Sequence, residues 1–371
     1  MASLSVFLAS LFSTHPTSRT LKHRPVFGTP LTNPSLFSRR IHSSTSRNLN
    51  YETRVAYTST TGSSVGKDDH TNEEVEVSSW VDHLQKEAQP YAKLARLDRP
   101  IGTWLFMFPL TWSAALAATV GSLPDFKALA VLVCASPLLR GAACTINDFL
   151  DRDLDKMVER TKLRPLASGT VTPFQGLCFF GFQLLLFHGI LLQLPYNSLM
   201  YEALYVFLLS TYPLTKRITY WPQAYLGLTM NWGAIVGWHA VKGSLQPSIV
   251  FPLFLSGFFW TIIYDTIYAH QDKEDDVKIG IKSTALKFGE STKEWITGFA
   301  IACIASFALT GYNAALGWPF YAFLAAAAAQ LAWQIGTANL SSPPDCNRKF
   351  ESNKWFGALI FSGIFLGKVL P

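Results

Sequence analysis

The chain has 371 residues, 49% of them hydrophobic and only 15% charged, with a formal net charge of +6. That is too apolar for an ordinary water-soluble protein of this length, and the apolar residues come in blocks. The basic surplus does not point to nucleic acid, because much of it lies in the first 50 residues and in loops beside apolar segments.

Residues 1–50 hold six Lys/Arg and ten serines but neither Asp nor Glu. Such acid-poor, Arg- and Ser-rich composition reads as an organellar transit peptide. The run Val6–Phe12 lacks the preceding positive charge of a secretory signal, and Arg39-Arg40-Ile41-His42-Ser43 resembles a mitochondrial processing zone. Residues 51–80 are polar and read as a disordered linker, which leaves 81–371 as a membrane domain. From residue 101 come nine apolar segments, each about 20 residues long and so able to cross a bilayer as a helix. They occupy 101–120, 126–146, 174–194, 199–216, 222–241, 248–269, 295–314, 317–338 and 355–371. The strict alternation of a membrane β-barrel is absent. The expected fold class is therefore all-α, a polytopic membrane protein with nine transmembrane helices.

Basic residues test that topology. With nine spans, 19 Lys/Arg fall on the face shared by the N-terminal flank and the even-to-odd loops, against Lys127, Lys242 and Lys368 on the other. The positive-inside rule puts the basic face inside. The same count places two acidic motifs on that one face. The first, Asn147-Asp148-x-x-Asp151-x-x-x-Asp155, follows the second span. On a helix its three named aspartates fall within an arc of about 60°, with Asp153 pointing away. The second, Asp265-x-x-Tyr268-x-x-x-Asp272-x-x-x-Asp276, closes the sixth span. Its named residues share an arc of about 80°, with Glu274 facing outward.

Two faces of stacked carboxylates repel unless a cation lies between them. Mg²⁺ prefers oxygen ligands and usually binds through a few carboxylates plus substrate phosphates, so a diphosphate held through Mg²⁺ at a membrane surface is the expected ligand. Cations stand nearby. Arg160, Lys162 and Arg164 follow the first motif and Lys216-Arg217 follows the fourth span, suited to phosphate oxygens or to a substrate carboxylate. Arg140 lies two turns before Asn147 on nearly the same face, where an acid partner and a place at the site are both open. Asn231 is a second buried polar group, to orient a substrate or to hydrogen-bond another helix. Cys134, Cys144, Cys178, Cys303 and Cys346 have no metal-ligand spacing and read as small buried residues.

These words resemble those of the UbiA family of membrane-embedded aromatic prenyltransferases. The resemblance runs from about Arg99 to the C-terminus and includes Arg99-Pro-Ile-Gly, Gly141-Ala-Ala-Cys-Thr-Ile-Asn-Asp148, Arg164-Pro-Leu-Ala-Ser-Gly169, Tyr212-Pro-Leu-Thr-Lys-Arg217, Trp221-Pro-Gln223 and Asn231-Trp-Gly233. The long word from Tyr264 to Thr284 is the most specific, and with the Lys-Arg and Pro-Gln block it points to the hydroxybenzoate branch. The resemblance implies nine helices around a central cavity open sideways to lipid. It implies Mg²⁺ held by Asn147, Asp148, Asp151, Asp155, Asp272 and Asp276, and the bilayer, a polyprenyl diphosphate and 4-hydroxybenzoate as partners. It leaves room for loose association with other enzymes of quinone biosynthesis.

The implied reaction is transfer of the prenyl group to the ring carbon ortho to the hydroxyl, a step of ubiquinone formation. Asp151 and Asp272 would act in diphosphate departure. Phe108, Tyr264 and Tyr268 are candidate faces for the allylic cation. Asn147, Arg164, Lys216 and Tyr268 would contact substrate, Arg217 would hold the acceptor carboxylate, and Asp265 would polarise the phenol or take the ring proton. The implied location is the mitochondrial inner membrane, loops toward the matrix; plastid or endoplasmic reticulum membranes are the alternatives. Rival functions are geranyl transfer to the same acceptor, homogentisate prenylation, and ion or solute transport.

Overall fold

A computed structural model describes residues 79–158 and 161–371. The leader and nearly all of the linker, with Glu159 and Arg160, lie outside the described residues. Every described element is helical. A short helix α1 (Gln89–Leu94) leads into α2 (Ile101–Leu116), α3 (Phe126–Asp155), α4 (Pro173–Leu191) and α5 (Leu199–Ile218). Then come α6 (Pro222–Asn231), α7 (Gly233–Lys242), α8 (Pro247–Ala269), α9 (Lys273–Ile279) and α10 (Thr284–Phe288). The chain ends with α11 (Thr292–Asn313), α12 (Trp318–Thr337), α13 (Pro343–Glu351) and α14 (Asn353–Val369).

Each of the nine apolar segments is thus helical. Four stretches, Phe126–Asp155, Pro173–Leu191, Pro247–Ile279 and Thr284–Asn313, are by themselves long and apolar enough to cross a bilayer. The first and the third carry the acidic motifs.

Local chemistry sets the ends that matter. Asp125 caps α3, its carboxylate accepting from the backbone N–H of Lys127 at 2.9 Å and of Ala128 at 3.1 Å. The helix then runs unbroken past the apolar stretch to Asp155, so the whole first motif rides on one rigid rod. Thr172 and Gln175 form a capping box for α4.

The second motif departs from the single helix that its spacing suggests. After Ala269 the backbone tightens into a 3₁₀ turn, His270–Asp272, before α9 begins. There the apolar sequence ends, and Glu274, Asp275 and Asp276 occupy the first turn of α9, where acids are favoured by the helix dipole. The fifth segment is also broken, at Trp232 between α6 and α7.

Packing follows chain order and closes on itself. Helix α2 packs on α3, α3 on α4 and α5, α6 on α8, α8 on α11, α12 on α14, and α14 returns to α2. At that last seam Trp112 Nε1 donates to the Gly357 carbonyl at 3.1 Å. One continuous apolar core joins these helices. Within it Asn231 Nδ2 donates to Thr261 Oγ1 of α8 at 3.0 Å and to the Gly227 carbonyl at 2.9 Å. Asn231 therefore serves helix–helix bonding. Of the cysteines, Cys144, Cys303 and Cys346 are buried as expected, whereas Cys134 and Cys178 are exposed.

Candidate active site

The end of α3 and the segment after α8 come together at the loop face. Asn147, Asp155, Arg164, Tyr212, Lys216, Asp272, Asp275 and Asp276 line one cavity of about 180 Å³. Motifs more than 100 residues apart in the chain thereby share one wall of carboxylates and cations. Asp275, which the helical spacing leaves out, joins them because the 3₁₀ turn changes the rotation per residue from about 100° to about 120°.

Asp148 and Asp151 stand behind that wall, 1% and 0% exposed, and each is held by two cations. Arg96 Nη2 donates to both oxygens of Asp148, at 3.0 and 2.9 Å. Arg164 Nη1 reaches Asp148 at 3.1 Å and both oxygens of Asp155, at 3.1 and 2.9 Å. Burial works against the Arg164 cation, but Asp148 and Asp155 outweigh it and raise its pKa above the usual arginine value. Lys216 Nζ donates to Asp151 at 2.5 Å. Arg217 is turned the same way, bonding the Leu150 carbonyl at 2.8 Å and lying 3.5 Å from Asp151.

The family words that flank the motifs meet here too. The Lys282 N–H donates to the Lys216 carbonyl at 2.9 Å, and the Thr284 N–H to Gln223 Oε1 at 3.0 Å. Gln223 and Asp265 are close enough to interact. Arg140, Tyr212 and Tyr264 lie within electrostatic reach of Asp265. Arg140 forms no salt bridge among the described residues, and its Nε is buried without a hydrogen-bond partner. It lies beside Gly102, where a Cβ would come within 2.2 Å of that nitrogen. A structural acid pair is thus not what Arg140 makes.

The candidate aromatic faces differ in placement. Tyr268 packs on Phe350 at 4.4 Å between ring centres, and Tyr264 on Trp260 at 5.1 Å. Phe108 stacks on Trp112 at 5.8 Å in the core.

Among the described residues no three His, Cys, Asp or Glu side chains form a ready-made metal cage. The donor set is hard oxygen, drawn from two motifs facing one cavity with Arg164 and Lys216 in its wall. That fits Mg²⁺, which takes few protein carboxylates and completes its shell with water and phosphate. In the sequence Arg96 is one inner-face charge among many, and neither Tyr212 nor Gln223 stands out from the family words that contain them. Their signals were the Arg96-Leu-Asp-Arg99-Pro run and the positions opening and following the Lys-Arg word.

Comparison with known proteins shows the family. The description "UbiA prenyltransferase family" matches residues 106–361. The chain is 64% identical over 295 residues to the mitochondrial 4-hydroxybenzoate polyprenyltransferase of Arabidopsis thaliana, covering 79% of this chain and 72% of that protein. It is 56% identical to 4-hydroxybenzoate geranyltransferase 2 of Lithospermum erythrorhizon, covering 79% and 95%. The corresponding mitochondrial human protein is 52% identical, covering 78% of each chain. A UbiA homologue from Archaeoglobus fulgidus, solved bound to GPP and Mg²⁺, shares the fold with a TM-score of 0.59 at 16% identity, covering 74% of this chain and 98% of that one. By its matched domain, its relatives and its helical architecture, the chain belongs to the UbiA prenyltransferase family.

Proposed function

We infer that the protein transfers a polyprenyl group from its diphosphate to the ring carbon ortho to the hydroxyl of 4-hydroxybenzoate, as a step of ubiquinone formation. The observation that carries this reading is the single cavity shared by Asn147, Asp155, Asp272 and Asp276, with Arg164 and Lys216 in its wall. The names of relatives as similar as the Arabidopsis protein support the acceptor and the pathway.

Asn147, Asp155, Asp272 and Asp276, which line the cavity, would hold Mg²⁺, with Asp151 a further donor from behind the wall; the metal would supply charge neutralisation to the departing diphosphate. Asp151 and Asp155 are bonded to Lys216 and Arg164. Lys216 and Arg164 would thereby be available to phosphate oxygens once those carboxylates hold the metal. Tyr264 and Tyr268, on the α8 turn before Asp272, offer faces to the allylic cation. Asp265, close to Gln223, takes the ring proton or polarises the phenol. Arg217 takes the acceptor carboxylate after leaving the Leu150 carbonyl, and Arg140 is a second cation, within electrostatic reach of Asp265. The loops after α3 and α8 exclude the water that would capture the cation.

The bilayer is the substrate's own solvent, since each CH₂ of a prenyl chain favours burial by about 0.8 kcal/mol. The mitochondrial relatives and the Lys/Arg bias support a location in the mitochondrial inner membrane with the site toward the matrix. The same reasoning reads residues 1–50 as the import leader and residues 81–371 as the catalytic domain.

The test is conversion by membranes of a host lacking its own enzyme, given Mg²⁺, 4-hydroxybenzoate or homogentisate, and a geranyl or long-chain diphosphate. Prenylated hydroxybenzoate, lost with EDTA, is the expected product. Likeness to the Lithospermum geranyltransferase supports one alternative, a short-chain donor, and the donor preference separates the two. Product only from homogentisate would remove this acceptor, and no product from a correctly inserted protein would remove the enzyme reading.

A further inference from the structure

Helix α1 ends in a backbone motif that ordinarily calls for glycine. The Leu97 N–H donates to the Ala92 carbonyl at 3.0 Å and the Arg96 N–H to the Lys93 carbonyl at 3.1 Å, the paired bonds of a Schellman cap. Such a cap puts its outer residue in the left-handed region, and Arg96 is there, with φ 55°. A side chain at this position crowds its own carbonyl, which is why glycine prevails. Arginine at a glycine position requires a reason beyond the cap itself, and backbone of this kind concentrates where geometry serves function.

The side chain supplies that reason. One nitrogen, Nη1, is tied back to the Lys93 carbonyl at 3.0 Å. The other, Nη2, straddles both oxygens of Asp148 across 52 positions of sequence. Asp148 also accepts from Arg164, whose same nitrogen grips Asp155 at the cavity wall. Two arginines and two aspartates make a neutral group. If Asp155 turns to a metal, Asp148 is left with two guanidinium groups and the cluster carries one net positive charge beside the cavity.

We propose that Arg96 is a positioning residue for the diphosphate: locked on Asp148, it makes that buried carboxylate an anchor that keeps Arg164 aimed into the cavity, so Asp148 serves the arginines and is not a metal ligand. Without Arg96 the full charge of Asp148 falls on Arg164, which is drawn back from the wall. With Arg96 in place, Arg164 is shared between Asp148 and Asp155 and keeps donors for phosphate oxygens. This rests on the prenyl-transfer reading of the cavity and adds to it which carboxylate stays off the metal.

Arg96→Gly separates the two roles of the residue, because glycine is the preferred occupant of the cap. The purified protein is tested with inorganic pyrophosphate and Mg²⁺, followed by the rise in thermal midpoint, and with Mn²⁺ binding read by electron paramagnetic resonance. Arg96→Gly is expected to stay folded and bind Mn²⁺ as the wild type does, with pyrophosphate affinity weakened at least about tenfold. Asp148→Asn should give the same weakening with Mn²⁺ retained, and the double variant should be no worse than either single one.

Wild-type pyrophosphate affinity in Arg96→Gly would overturn the proposal. So would loss of Mn²⁺ by Asp148→Asn alone, since that outcome makes Asp148 a ligand. Should Arg96→Gly fail to fold, Asp148→Asn and Arg96→Lys decide: the lysine keeps the charge but not the two-pronged contact and is expected to stay weak, and normal affinity in either would sink the idea. A wild-type protein that binds no Mg²⁺–pyrophosphate would overturn the diphosphate reading itself, and this inference with it.

Discussion

Lys216→Ala probes whether protein cations stand in for the metal at the acidic wall. Asp151 is fully buried, and Lys216 Nζ at 2.5 Å is its principal partner. Removing one partner of a buried ion pair costs about 3–5 kcal/mol, because the remaining charge is uncompensated. Two features reduce that here: the Lys216 side chain is 24% exposed, and Arg217 lies 3.5 Å from Asp151 and can close on it. A net loss of about 2 kcal/mol is reasonable, which lowers the thermal midpoint by about 3 °C for a domain of nearly 300 residues. Adding Asp151→Asn removes the stranded charge and should recover at least half of the loss. Mg²⁺ with pyrophosphate should also narrow the gap, since a metal cation replaces the missing ammonium. The assay is thermal unfolding of purified protein in detergent or nanodiscs, with and without those ligands. A single variant within about 1 °C of wild type, or a double variant no more stable than the single, would refute the reasoning.

Asp272→Ala should insert and fold normally yet lose activity by about 10²–10³-fold, the scale of one lost electrostatic contact to developing charge; quantitative product analysis checks this, and wild-type rates would remove the metal clamp. Arg217→Ala should raise the KM for 4-hydroxybenzoate more than for the prenyl donor, and an unchanged acceptor KM would assign that arginine elsewhere. Gly257→Ala places a Cβ 1.8 Å from Asn231 Oδ1. It should destabilise the protein by about 1–3 kcal/mol through overpacking at the α6–α8 seam, seen as a lower thermal midpoint. Deleting residues 1–50 should leave catalysis in isolated membranes intact and abolish import into organelles; continued import would show the leader reading to be wrong.

Hydropathy made the helices legible because the apolar stretches fold as helices, four of them long enough to cross a bilayer, and the Lys/Arg asymmetry put both motifs on one face of the expected topology. The convergence of Asp155 with Asp272 and Asp276 followed from that placement. What the spacing could not reveal depends on breaks and long-range contacts. The split at Trp232 has no proline to announce it. It occurs where Gly233 and Gly237 bring α7 against Leu110 and Ser113, so closely that a Cβ on Gly237 would lie 2.5 Å from the Leu110 carbonyl oxygen. The 3₁₀ turn at His270–Asp272 shifted Asp275 onto the cavity. Arg96 stayed hidden for the opposite reason: the usual sign of a left-handed cap is a glycine, and here the chain has an arginine whose partner is 52 residues away.

The helices differ sharply in what surrounds them. In an 18-residue apolar window of the motif-bearing stretches Phe126–Asp155 and Pro247–Ile279, 61% and 67% is buried within the protein, against 22% and 28% in Pro173–Leu191 and Thr284–Asn313. In a bilayer, lipid would set the surroundings of the outer pair, and protein those of the inner pair. A change in bilayer thickness, which membrane helices accommodate by tilting or by local distortion of the lipid at fractions of a kcal/mol per Å, is absorbed at the rim. The expected consequence is that the spacing between the two acidic motifs changes less with bilayer thickness than the tilt of the outer helices does.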